Sequence, residues 1–347
     1  MYIVIAIIMF GVLIAIHEFG HFITAKACGV RVDEFAIGMG PAVWKKQKGE
    51  TMYALRILPI GGFCAMGEDE ESEDPRAFPN QSLWKKLIIL CAGSFMNFLL
   101  GIILIVLMYG NAGAFTAPII GDFLDGCPYA GDGGFEQGDR FYSIDGHRIF
   151  LYSDVQMFLE RGDGVYDIVV VRDGEKIGLD DMQLTPDVKT DDGMRYGFVW
   201  GAEEATFGTK LRYTWNTTME FSRLVWLGLG DLINGAVGMD EMAGPVGIVD
   251  MMNDVGSQAK STAAAVYSML YFSAFIAINL AIMNMLPIPA LDGGRVFLML
   301  VTVVIEAISR RKLDPKYEGY IHMVGMGLLL LLMVVVMYND IVRLITG

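Results

Sequence analysis

His17, Glu18 and His21 stand in the run AIHEFGHFITAK, residues 15–26. On a helix, residues four apart share a face, so the two imidazoles can converge on one metal ion with Glu18 beside them. The chemistry this permits is hydrolysis. Neutral imidazoles suit zinc, a catalytic zinc keeps one position open for water, and an adjacent carboxylate takes the proton. The setting is what makes the pattern informative. No charged residue occurs between Tyr2 and Ile16, a run that as a helix covers about 22 Å of a hydrocarbon core about 30 Å thick. Ionisable groups at that depth are costly and are functional candidates by default. A chance HExxH in a soluble helix carries no such cost; in an apolar span, three polar side chains need something to compensate them.

A catalytic zinc needs a third protein ligand. Of the remaining histidines, His147 follows a turn in a polar region and reads as a surface residue. His322 opens a later apolar run and reads as an interface or cap. Acids bordering the membrane segments are better candidates. NMLPIPALDGGR, residues 284–295, offers Asp292 just after Pro287 and Pro289. These prolines break a helix and free backbone groups that only protein or a water-filled cavity can satisfy. Glu306 borders the same segments, and a zinc protease of another clan would use such a glutamate instead. Zn2+, ionised Asp292 and Glu18, and two neutral histidines sum to zero charge. A neutral cluster is cheaper in a low dielectric than any of its members alone.

These groups must be carried by membrane helices. The chain has 347 residues, 54% of them hydrophobic and 19% charged, and its mean hydropathy is +0.45. Apolar stretches at roughly 2–27, 85–109, 266–290 and 322–345 qualify as spans. The first lacks the basic start and small-residue cleavage site of a signal peptide. The net charge of −14 sits mainly in 116–204 and in GEDEESED, 67–74. No basic stripe exists for nucleic acid to meet. Cys28, Cys64, Cys91 and Cys127 have no CxxC spacing, so neither a disulfide framework nor a zinc knot is expected.

Between the spans, AVWKKQKGETMYALRILPIGGFCAM reads as a strand pair around KGE, apolar enough to touch the membrane. Its Leu55 and Ile57 are candidate substrate-facing positions. Residues 116–200 change to short alternating runs with hairpin signals at Asp145-Gly146 and Asp173-Gly174, a small β-rich domain. Residues 206–262 are amphipathic, with helical spacing in WNTTMEFSRLVWLGLGDLI, and suit the membrane surface. The chain thus divides into a first membrane core at 1–115, a β-rich domain at 116–205, an amphipathic region at 206–262 and a second membrane core at 263–347. Lys and Arg in 28–86 and in SRRKLDPKY, 309–317, place those segments in the cytoplasm. The β-rich domain and both termini then lie outside, and the site lies toward the cytoplasmic face.

Together these residues resemble the site-2 protease family of intramembrane zinc metalloproteases, in its bacterial regulator-of-sigma-E protease form. HEFGH at 17–21 is similar to its HExxH, NMLPIPALDGG at 284–294 to its NxxPxPxLDG, and GSFMN at 93–97 to the GxxxN of its second core span. MAGPVGIVDM at 242–251 resembles a segment before the third span, and FEQGDRFYSIDGHRI at 135–149 a PDZ domain, here a single one. The resemblance implies a polytopic α-helical membrane protein of four transmembrane helices with an inserted PDZ-like domain and a membrane-associated β-hairpin. It implies Zn2+ held by His17, His21 and Asp292, with Glu18 as general base. Asn97 and Asn284 would assist substrate or oxyanion, and Pro287 would lie at the substrate. The implied substrates are transmembrane segments of membrane proteins, anti-sigma factors or signal-peptide remnants already shortened by another protease, in the bacterial cytoplasmic membrane. A helical substrate hides its peptide bonds, so it must unwind, and a strand edge gives the unwound segment hydrogen-bond partners. The reading outside enzymology is a membrane-anchored PDZ adaptor with a structural or inactive metal site, which would have no use for Glu18.

Overall fold

The computed structural model describes residues 2–67, 73–131, 133–190, 193–238, 243–312 and 316–346. Residues 68–72 of the acidic run, Asp132, Met242 and residues 313–315 of the basic loop lie outside them. Among the described residues, four helices are long and apolar enough to cross a membrane: Tyr2–Ala27, Leu83–Tyr109, Thr262–Asn284 and Gly319–Arg343. The protein is a multi-pass membrane protein with an inserted β-sheet domain.

The chain separates into two compact units, residues 1–105 with 221–347, and residues 106–220. In the first, α1 (Tyr2–Ala27) leads into β1 (Glu34–Lys48) and β2 (Thr51–Ala65), followed by α2 (Leu83–Tyr109). The turn between the strands is the expected one, at Gly49 with φ 63°. Both strands bend. Residues 34–37 have 52–55 on one side and 62–65 on the other, while 44–48 close the hairpin with 51–55. Met39, Val43, Trp44, Ile57 and Leu58 leave this sheet with an exposed apolar surface.

The second unit holds β3 (Ala114–Phe123), β4 (Arg140–Ile144), β5 (His147–Arg148), α3 (Tyr152–Arg161), β6 (Val165–Arg172), β7 (Glu175–Gln183), β8 (Val188–Thr190), β9 (Gly193–Arg195) and β10 (Phe198–Glu204). The main sheet runs β10-β3-β4-β6-β7, with β5 beside β4. Both hairpin signals form turns with positive φ at each residue: 49° and 77° at Asp145 and Gly146, 50° and 86° at Asp173 and Gly174. That backbone twist is the one that feeds two strands directly into a hairpin. Phe135, Phe141, Ile144, Ile168 and Val170 are buried in the core between the sheet and α3. Arg172 ties the 134–139 loop to β6 through Asp139, at 2.7 Å, and the Gly134 carbonyl, at 2.9 Å. His147 stays at the surface, stacked on Phe158.

Helix α4 (Phe207–Asn234) carries the amphipathic pattern. It is followed by α5 (Pro245–Ser257), α6 (Thr262–Asn284), α7 (Asp292–Ser309) and α8 (Lys316–Thr346). In the first unit Ala6 and Leu13 of α1, Met252 of α5 and Met269, Ile276 and Ala277 of α6 form one buried cluster. Thus α5 packs one face into the helix bundle. The third span stops at Asn284, short of residue 290, because Pro287 and Pro289 cannot continue the hydrogen-bond ladder. The sequence reading assigned no element to 292–309. α7 begins there with an acid, Asp292, in its first turn, where the helix dipole favours negative charge.

Candidate metal centre

The helix of α1 places His17 and His21 one turn apart, and the turn at 285–291 brings Asp292 back to them. The Asp292 Oδ2 atom lies 3.1 Å from His17 Nε2 and 3.3 Å from His21 Nε2. The two Nε2 atoms are 3.2 Å apart. Among the described residues these are the ones whose ligand atoms converge in the manner of a metal site. His21 is buried; its Nδ1 donates to the Ile89 carbonyl of α2 at 2.8 Å. That bond fixes the tautomer and leaves a bare lone pair on Nε2.

With His17 in the same tautomer, three acceptor atoms face one another. A proton satisfies one pair of them; a cation satisfies all three. Bonds of about 2.0–2.1 Å to a tetrahedral zinc give edges of about 3.3–3.4 Å, close to the triangle observed. Asp292 Oδ2 is a buried atom with no hydrogen-bond partner, as expected of a group arranged for a metal. The donor set, two imidazoles and one carboxylate with a side left over, fits zinc in a catalytic site. Glu306 sits fourteen residues further along α7, about 21 Å by helical rise, which removes it from this cluster.

Glycines let the elements approach this closely. A Cβ on Gly93 of α2 would lie 2.4 Å from His21 Nε2 and 2.8 Å from His17 Cε1. One on Gly20 would meet the Ala92 carbonyl oxygen at 2.4 Å. Gly62 of β2 faces Glu18, whose Cγ would be 3.0 Å from an added Cβ. The sheet thus passes beside the carboxylate. Asn97, one turn beyond Gly93 on α2, is buried, and its Oδ1 has no hydrogen-bond partner; the same holds for Ser94 Oγ. Ser94 was not singled out from the sequence. A buried hydroxyl in an apolar span was its available signal. Asn284 ends α6, half-buried, and Pro287 is exposed in the break.

The two candidate strand positions differ in their surroundings. Leu55 and Ile57 do point outward, 48% and 62% exposed. Leu55, however, already has Ile37 on one side and Trp44 on the other. The segment next to Glu18 is 62–65, which takes 34–37 as its strand neighbour among the described residues. The Asp292 turn has its own support: Ala290 N–H donates to His322 Nδ1 at 3.1 Å, so His322 lines an interface as expected. Gly325 packs so tightly on Pro289 that a Cβ would be 2.3 Å away.

A hydrolytic metal site carried on membrane helices defines a class, the membrane metallopeptidases, and comparison with known proteins narrows it. The model of peptidase family M50 matches residues 5–332. A protein of Clostridium perfringens that bears a zinc-metalloprotease name is 35% identical, covering 99% of both chains. The zinc metalloprotease RasP of Bacillus licheniformis is 30% identical over 97% of this chain and 98% of its own. The regulator of sigma-W protease RasP of Bacillus subtilis is 28% identical over 97% of each. The chain belongs to peptidase family M50, the zinc metalloproteases of site-2 type.

Proposed function

We propose that this protein cleaves membrane-spanning segments of other membrane proteins, with His17, His21 and Asp292 as the zinc ligands and Glu18 as general base. The observation that carries the reading is the convergence of three lone-pair atoms beside Glu18 between apolar helices. Zinc, when bound, polarises the scissile carbonyl and acidifies a water. Glu18 takes the proton of the attacking water and returns it to the departing amine. Ile89 holds His21 in the ligating tautomer. Asn97, with Ser94 beside it and Asn284 at the end of α6, supplies hydrogen bonds for the substrate carbonyl. Pro287 keeps the break open.

Substrates are anti-sigma-factor-like proteins or signal-peptide remnants, shortened beforehand by another protease; the sigma-W relative's name supports the first. The 116–205 domain is a single PDZ-like module outside the cytoplasmic membrane that filters substrates by size. The Lys and Arg of 28–86 and 309–317 support a cytoplasmic position for those segments. The 34–65 sheet is a membrane-associated platform whose 62–65 edge receives the unwound substrate as an added strand.

Two measurements test these assignments. Metal analysis of purified Asp292→Asn is expected to show zinc retention weakened beyond the about 10–100-fold that loss of an outer-shell partner costs, with Glu306→Gln unchanged. Equal zinc in Asp292→Asn and native protein removes Asp292 from the ligand set. For the edge, proline removes an amide donor that alanine keeps. Adjacent residues of a strand point their amides to opposite sides. Of Phe63→Pro and Cys64→Pro, one is therefore expected to slow cleavage about tenfold or more with zinc retained, and the matching alanine variants less. Leu55→Pro, inside the sheet, is expected to lower zinc content as well. Equal cleavage by the proline and alanine variants at 63 and 64 sinks strand addition there.

A further inference from the structure

The second unit has a recess of about 170 Å³ whose lining includes Arg140, Tyr142 and Arg148 of the β4–β5 hairpin and Arg212, Tyr213 and Asn216 of α4. Its charge runs against that of its surroundings, since residues 116–204 hold most of the chain's acidic surplus. Arg140 and Arg212 share one carboxylate, Glu203. Arg148 lies over the Tyr142 ring, 3.2 Å from its centre, with the Lys176 Nζ 3.7 Å from the same ring. The hydrogen bond from Lys176, with Arg148 nearby, holds the Tyr142 hydroxyl below its usual pKa. Three arginines against one glutamate leave the recess net positive.

Its depth can be read from the end of α2. Tyr109, the last residue of that apolar helix, is hydrogen-bonded to Thr217 of α4 at 2.8 Å. Its ring packs on Phe115 at 4.9 Å, and Phe115 stacks on Tyr213 at 4.1 Å. Lys210 donates to the Gly110 carbonyl at 2.6 Å. The recess therefore lies where a membrane span ends, the level at which aromatic rings and phosphates meet. Beside it Phe207, Leu211, Trp215 and Met219, each four residues from the next, form an exposed apolar stripe on α4. Arg212 and Asn216 follow Leu211 and Trp215 directly in sequence, so the cationic recess flanks the stripe.

We propose that this recess binds the phosphate headgroup of an anionic phospholipid, with the acyl chains along the α4 stripe. Charge complementarity selects the headgroup, and the stripe selects a lipid over a free anion. The test uses the full-length protein, purified in a neutral detergent, exposed to phosphatidylglycerol or phosphatidylcholine and passed through gel filtration, with retained lipid quantified. Phosphatidylglycerol is expected to be retained preferentially. Arg148→Gln, which leaves the Glu203 pairs intact, is expected to lower its retention about fivefold, and Arg148→Gln with Arg212→Gln further. Leu211→Ser is expected to lower retention of both lipids, and Lys189→Gln to change neither. Zinc content, a readout of the first unit, is expected to stay constant throughout.

Equal retention of the two lipids by the native protein overturns the proposal, as does a loss in Lys189→Gln matching that in Arg148→Gln. Binding of inorganic phosphate that is as tight as that of phosphatidylglycerol and indifferent to Leu211→Ser makes this a free-anion site and overturns it too. Slower cleavage by Arg148→Gln in phosphatidylcholine alone, with phosphatidylglycerol retention unchanged, assigns the recess to acidic substrate and overturns it equally.

Discussion

Glu18→Gln is expected to lower the cleavage rate by about 10²–10⁴-fold while the protein keeps its full complement of zinc. Glu18 adjoins His17 in sequence without belonging to the convergent set of His17, His21 and Asp292. Glutamine preserves its shape, its packing against Gly62 and its capacity for a hydrogen bond. What it loses is the ability to take a proton. The fold is expected to be indifferent, since the helix interior tolerates either residue. The decisive measurement pairs turnover of a membrane-embedded substrate with metal analysis on the same preparation. Near-native turnover removes the general-base assignment; loss of zinc along with activity makes Glu18 part of the metal site.

The other large effect is expected at a residue with no side chain. Gly93→Ala puts a methyl carbon 2.4 Å from His21 Nε2 and 2.8 Å from His17 Cε1, far inside van der Waals contact. His21 cannot yield and still face Asp292, because it is also pinned through Nδ1 to the Ile89 carbonyl. Either α2 moves away from α1, breaking that bond, or a ring turns out of the cluster. Zinc retention is expected to fall at least about tenfold, the low end of what a displaced supporting partner costs, and activity with it. Gly113→Ala, where an added Cβ meets nothing within 4 Å, is the control and is expected to retain native zinc. Native zinc content in Gly93→Ala would mean that the helices separate freely and that α2 does not hold the site.

The sequence made the groups of this site legible because each is expensive where it stands. Two histidines and a glutamate in an apolar span, and an acid after two prolines, are conspicuous against hydrocarbon. Hairpin turns were legible for a similar reason, since Asp145-Gly146 and Asp173-Gly174 encode a backbone twist locally. Other features depend on contacts that leave no local trace. The Ile89 carbonyl that orients His21 belongs to a residue 68 positions away, and every residue type has a carbonyl. Gly93 reads as one more small residue in a membrane helix until its neighbour is seen. The bends that put Leu55 inside the sheet and 62–65 at its margin follow from pairing register, which the apolar alternation of the strands leaves open. α7 was hidden because its apolar residues continue the hydrophobic character of the span before it.

Ala290 sits at φ 79°, a left-handed conformation that costs a residue with a Cβ about 1–2 kcal/mol. The hydrogen bond from its amide to His322 and the seat of Pro289 on Gly325 offset that cost. The helix that supplies both, α8, contributes none of the residues assigned to the chemistry. It works as a splint, setting the angle at which a carboxylate about thirty residues upstream meets its two imidazoles. Sequence drift along the outer faces of α8 leaves this untouched, whereas a change at the two positions that grip the turn is felt at the His17–His21–Asp292 cluster. The reach of the site is thus wider than its three converging side chains, and it extends into the last membrane helix of the fold.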